Sequence, residues 1–144
     1  MFSKACEYAI RATLYIAVQS EKGERCGIKE IAASIDSPEA FTAKILQTLS
    51  RNKIIESVKG PNGGFFIEPT QAKKIKLSEI VFAIDGDGVY KGCGLGLNDC
   101  NAKKPCPVHN QFKQIRDDLR KMLESTSINE LSHNIHKGGA VLKR

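Results

Sequence analysis

The segment 54–67, IIESVKGPNGGFFI, constrains this chain most. Two β-prone runs, 54–58 and 65–67, flank Gly60, Pro61, Asn62, Gly63 and Gly64. Glycine supplies the positive-φ positions that a tight reversal needs, so the pattern predicts a hairpin with a glycine-rich tip. Upstream, Ile28, Ile31, Ala32 and Ile35 recur at i, i+3, i+4 and i+7, one face of a short helix. Asp36 and Ser37 make the turn after it. Ser37 is the expected N-cap of a second helix, with Pro38 at the first helical position and Glu39 in the first turn. That helix runs to about Asn52 with Phe41, Ile45, Leu46 and Leu49 inward. Two short helices across a tight polar turn form a helix-turn-helix candidate, and a hairpin directly after it is a wing. An apolar helix over 3–20, capped by Ser3, opens the chain. The order predicts a mainly α fold with a small β-hairpin wing: a winged helix-turn-helix over 1–76.

Residues 69–76 read as a polar connection. Leu77, Ile80, Val81 and Ile84 then share a helical face that ends at Asp85, Gly86, Asp87 and Gly88. Val89 and Gly96 stand where an EF-hand loop starting at Asp85 needs ligands, so calcium is excluded. From Pro107 onward Val108, Phe112, Ile115, Leu119 and Met122 are spaced 4, 3, 4 and 3 on an otherwise polar helix. This narrow period-3.5 seam predicts a long C-terminal dimerisation helix. Ser127 and Glu130 are spaced as a capping box for a last helix. The sensor loop and dimerisation helices thus occupy 77–136, and 137–144 is expected to be a disordered tail.

Hydrophobic residues make up 41% of the 144, enough for a folded core, and no apolar run approaches the ~18 residues that span a bilayer. The opening stretch lacks the small-residue cleavage site of a signal peptide, and Arg11 interrupts it, so no membrane partner and a cytoplasmic location are expected. The formal charge of +6 suits a polyanion partner. Of the 22 basic and 16 acidic residues, 12 and 8 fall in 1–76, so the excess leans towards the winged domain.

In a helix-turn-helix the second helix enters the major groove. With Phe41, Ile45 and Leu49 inward, a 100° wheel turns Ala40, Ala43, Lys44, Gln47 and Arg51 outward. Lys44 and Gln47 can hydrogen-bond bases or phosphates, and the alanines permit close approach. In the wing, Lys59 precedes a tip containing Asn62, where a basic residue can meet phosphate or the minor groove. Double-stranded DNA is the expected partner. Nothing resembles a nucleophile–base pair or a substrate pocket, so an enzyme is not expected.

Cys93, Cys100 and Cys106 cluster within a glycine-rich stretch, with His109 one helical turn after the last. An odd cysteine count argues against a disulfide framework. Three soft thiolates select zinc, copper(I) or an iron–sulfur cluster. Intervals of six and five residues suit a loop around a cluster, while zinc and uncoordinated redox thiols also fit. Lys103 and Lys104 favour the thiolate form. Cys6, Cys26, His133 and His136 read as ordinary residues.

The opening YAIRATLYIA, the block LQTLSRNKIIESVKGPNGGFFI, the helix LSEIVFAID and the Cys/Cys/Cys/His loop together resemble the Rrf-two family of bacterial winged-helix regulators, from Met1 to about Leu131. The resemblance implies a homodimer paired through the long helix and a cluster whose state alters DNA binding; because each protomer supplies one reading head, an inverted-repeat operator is expected. It implies Cys93, Cys100 and Cys106 as ligands and His109 as the fourth, as in the cluster-assembly regulators of the family, with a [2Fe–2S] cluster. In the nitric-oxide sensors an aspartate near the partner's N-terminus is the fourth ligand; here that region reads Cys6, Glu7, Tyr8, which favours His109. Two departures stand out. The first cysteine interval is six where five is common, and Ala43 replaces an acidic residue that influences base choice, so the operator sequence does not carry over.

Overall fold

Ser3 caps the first helix as its position predicts: the Cys6 backbone N–H donates to the Ser3 hydroxyl at 3.0 Å. In the computed structural model, which describes residues 1–143, helix α1 (Lys4–Glu21) follows from this cap. Its Cys6, Ala9, Ala12, Thr13, Leu14, Ile16, Ala17 and Val18 are buried, because α1 is packed on several sides. The small residues let neighbours approach closely. Thr13 is tolerated there because its hydroxyl donates to the Ala9 carbonyl at 2.8 Å.

Helices α2 (Ile28–Ile35) and α3 (Glu39–Arg51) form the helix-turn-helix. The turn depends on Asp36, which takes the left-handed conformation at φ 56°, a region that Asp visits more readily than most residues. The α3 cap is Pro38 rather than Ser37, and the helix starts one residue later than predicted. Pro38 has an extended ψ of 140°, and its carbonyl accepts the Thr42 N–H at 2.9 Å, so it holds the half-helical position itself. Ile28, expected inward, opens α2 and is exposed.

Strands β1 (Glu56–Val58) and β2 (Gly64–Phe66) pair antiparallel in the register Glu56↔Phe66, Ser57↔Phe65, Val58↔Gly64. The strands are shorter than the β-prone runs because Ile54, Ile55 and Ile67 turn into the core instead. The predicted polar connection holds a helix, α4 (Pro69–Lys74), with Pro69 at its start. Ala72 and Ile75 are its buried anchors.

Helices α5 (Leu77–Asp85) and α6 (Gly88–Lys91) lead into the loop that precedes α7 (His109–Ser125), and α8 (Ile128–His136) closes the order. Ser127 caps α8 by accepting the Glu130 N–H at 3.2 Å. The boundary drawn at Lys76 does not separate two cores. Leu77 N–H donates to the Thr126 carbonyl and Ile128 N–H to the Ile75 carbonyl, each at 3.0 Å, and one apolar cluster runs from Cys6 through Ile45, Ile80 and Leu123 to Ile128. The α1 helix packs on α8 and α5 as well as on α2 and α3. Residues 137–143 fold back rather than trail away: Leu142 packs half-buried against the core, and Lys143 Nζ lies 3.7 Å from Asp36 and 3.3 Å from the Ala33 carbonyl. Arg144 of the predicted tail lies outside the described residues.

Candidate nucleic-acid interface and sensor loop

Helix α3 is anchored by Thr42, Ile45, Leu46 and Leu49, all buried. Phe41, predicted inward, is exposed at its margin, where it meets the Tyr8 ring edge-on with centroids 5.7 Å apart. Thr42 takes the inward place because its hydroxyl donates to the Pro38 carbonyl at 2.9 Å, which removes the cost of burying it. The opposite face carries Ala40, Lys44, Gln47 and Arg51 exposed and Ala43 half-buried. The outward set read from the sequence therefore shares one side of α3.

Lys59 and Asn62 are exposed at the wing. The hairpin is tied to the segment before α2. Cys26 N–H donates to the Phe65 carbonyl at 3.0 Å, and Phe65 N–H donates back to the Cys26 carbonyl at 2.7 Å. Gly64 makes this approach possible: it sits at φ +139°, and a Cβ there would stand 2.8 Å from the Cys26 oxygen. Arg25, which the sequence reading missed, completes the tie. Its Nη1 donates to the Asn62 carbonyl at 3.2 Å and its guanidinium lies 5.2 Å from the Phe66 ring centroid. Only its place beside Cys26 hinted at this, and the hairpin pairing of Cys26 has no local sequence signature.

The cysteine loop spans residues 92–108 and returns onto α7. Two of its four expected ligands meet. Cys100 Sγ lies 3.4 Å from His109 Nδ1. The Cys93 thiol is held below the ordinary range, chiefly by the Leu95 N–H 3.4 Å away and then by the Leu97 N–H. Among the described residues no three His, Cys, Asp or Glu groups come together as a metal-binding set. His109 is buried at the first turn of α7, and its backbone N–H donates to the Cys106 carbonyl at 3.1 Å. Arg116, also unforeseen, reaches back from α7: Nη2 donates to Cys100 Sγ at 2.8 Å and Nη1 to the Gly92 carbonyl, while Nε is buried with no protein partner.

The α7 seam divides. Phe112 packs within its own chain, so close to Gly94 that a Cβ there would stand 2.5 Å from the ring. Val108 is half-buried, and Leu119 packs against the core. Ile115 and Met122 remain outward, at 55% and 46% exposure. Leu123, outside the predicted seam, is the fully buried anchor of the helix.

Cys6 and Cys26 are buried, and burial pushes both thiols up to about 12, so they are packing residues and poor nucleophiles. His133 and His136 are exposed, and His136 lies 3.9 Å from Glu21. Glu7 is exposed and paired with Lys4 at 3.3 Å.

The chain has relatives of known family and fold. A model of the Rrf2 family, described as iron-dependent transcriptional regulators, matches residues 2–134. The chain belongs to the Rrf2 family. It is 31% identical over 130 residues to protein aau3 of Rhizobium meliloti, covering 90% of this chain and 82% of that one. It is 27% identical over 127 residues to the HTH-type transcriptional regulator IscR of Photorhabdus laumondii, covering 88% and 76%. The solved structure of CymR, the global cysteine regulator of B. subtilis, superposes with a TM-score of 0.72 at 17% identity, covering 92% of this chain and 96% of that one, which shows the shared winged-helix fold. As an Rrf2 member the chain is a DNA-binding transcriptional regulator. No helix among the described residues is long and apolar enough to cross a membrane.

Proposed function

We propose that this Rrf2 regulator binds an inverted-repeat operator as a homodimer, and that an iron–sulfur cluster of the [2Fe–2S] type controls its affinity. Cys93, Cys100, Cys106 and His109 would hold the cluster. The observation that carries the reading is the donor set: three half-buried thiols on one loop and one buried imidazole at the first turn of α7, on which that loop is seated. Its chemistry fits. The Cys93 thiol is held below its ordinary range by backbone N–H groups, the Arg116 cation stands beside Cys100, and Arg116 Nε is buried and unmatched by protein. When bound, the cluster would supply one-electron redox chemistry and lability towards small oxidants.

The chain's own residues supply the route to DNA. Gly94 rests on Phe112, and Arg116 links α7 to Gly92 and Cys100. Helix α7 packs on α5, and α5 packs on α3 and α1. A shift of the loop therefore reaches the recognition helix through packed elements. Ile115 and Met122, outward on α7, offer the apolar surface for a second copy. A dimer presents two α3 helices and so reads two half-sites about one helical turn, or a multiple, apart.

A second reading has its own support. The lowered Cys93 thiol, on a loop shared with Cys100 and Cys106, suits a thiol redox switch in place of a cluster, with the same DNA face. Anaerobic purification with iron, acid-labile sulfide and zinc assays separates the two. The cluster reading expects visible absorption and about two iron and two sulfide per chain, both lost in Cys93→Ala, Cys100→Ala and Cys106→Ala. His109→Ala is expected to keep a partly occupied, labile cluster, because one position can be filled by water. His109→Cys is expected to hold it more firmly at a lower reduction potential, because a thiolate adds negative charge. A colourless wild type with one zinc per chain, or with no metal at all, contradicts the cluster.

A further inference from the structure

Arg25 is exposed, yet its guanidinium is fixed on two sides. One N–H donates to the Asn62 carbonyl at the wing tip, and one face lies over the Phe66 ring of β2. A guanidinium carries five N–H donors, so most of them remain available. Glu24 is adjacent and exposed, but among the described residues no carboxylate pairs with Arg25. The wing tip it touches carries exposed Lys59 and Asn62. The same wing stands next to α2, because Cys26 follows Arg25 and pairs with Phe65 in both directions.

We infer that Arg25 binds the sugar–phosphate backbone of double-stranded DNA beside the wing, and that the same side chain holds the wing tip in position for its own contact. A fixed, planar, permanently charged fork is well suited to a phosphate, and its stacked geometry limits the entropy lost on contact. Lysine retains the charge but neither the fork nor the stack. The inference rests on the DNA-binding face alone and is independent of the cluster and of the dimer.

The test uses the full chain and a mixed-sequence duplex of about three helical turns, with affinity measured across a salt series and thermal melts confirming folding. Arg25→Gln, which can still hydrogen-bond Asn62, is expected to lower the magnitude of the log K versus log[salt] slope by about 0.9 per bound protomer. Arg25→Lys is expected to keep the wild-type slope but bind about three- to tenfold more weakly, because the wing tip loses its brace. A purely structural arginine would not move the slope. An unchanged slope for Arg25→Gln overturns the phosphate contact, and wild-type affinity for Arg25→Lys overturns the bracing role. Failure of the wild type to bind this duplex at low salt would instead overturn the DNA-binding face itself.

Discussion

Cys100 Sγ lies 3.4 Å from His109 Nδ1, and the two residues belong to different parts of the chain: Cys100 to the loop, His109 to the first turn of α7. Through this contact the loop closes onto the long helix rather than onto itself. Arg116, two turns further along α7, donates to the same sulfur. Any group that takes up Cys100 therefore acts directly on α7, and through α5 on the helices of the reading head.

The reading head gives a first prediction. Lys59→Ala is expected to weaken binding to all duplexes and lower the salt slope by about 0.9 per lost phosphate contact. Gln47→Ala, on the exposed face of α3, is expected to change relative affinity among operators by about 1–3 kcal/mol per lost base contact, with little change in slope. Competition binding across a panel of duplexes distinguishes the two behaviours.

Two residues on α7 give opposite expectations. Ile115 is exposed in the single chain, so Ile115→Asp is expected to split the proposed dimer while leaving the fold intact. Leu123 is fully buried, so Leu123→Ala is expected to cost about 2–5 kcal/mol of stability. Sedimentation of the first and urea unfolding of the second check this. An unchanged dimer in Ile115→Asp would move the interface elsewhere.

Two glycines near the wing differ in the same way. Gly64→Ala places a Cβ against the Cys26 backbone at φ +139°, and is expected to cost about 1–3 kcal/mol and reduce DNA affinity. Gly27 is the α2 cap at φ −83°, with open space around it and no side-chain cap. Gly27→Ser is expected to raise stability by about 0.3 kcal/mol, since a serine cap exceeds glycine by a few tenths. Denaturant melts read both.

The buried thiols set an alkaline limit. Cys6 and Cys26 titrate from 9.0 in an ordinary environment to about 12 in the fold, chiefly through burial. The folded state thus binds a proton that the unfolded chain releases first. This stability is complete below pH 9 and falls as pH rises from there through about 12. Urea midpoints measured from pH 8 upward are expected to decline. A Cys6→Ala, Cys26→Ala double variant is expected to decline less steeply.

Much of this was legible in the sequence because it is local. The wing follows from its glycines, the α2–α3 turn from Asp36, and the caps from Ser3 and Ser127. What was not legible depends on a distant partner. Phe41 sits at the margin because Tyr8 of α1 offers it an aromatic edge, and Thr42 replaces it inward because Pro38 satisfies its hydroxyl. Phe112 leaves the seam because Gly94, without a side chain, lets the loop settle on its ring. Helix α4 escaped notice because its buried anchors are only Ala72 and Ile75 in a polar run. The candidate ligand residues were identifiable by type, but the meeting of Cys100 with His109 depends on the path of the loop.

The central claim is that the loop's cluster governs operator binding. The most direct measurement is anaerobic affinity for an operator selected from random duplexes, with wild type and Cys100→Ala each assayed after iron–sulfide reconstitution and after chelation. Reconstituted and chelated wild type are expected to differ by about tenfold or more, within the range of ordinary allosteric coupling, while Cys100→Ala gives the chelated value in both states. Equal affinity of the reconstituted and chelated wild type would contradict the account.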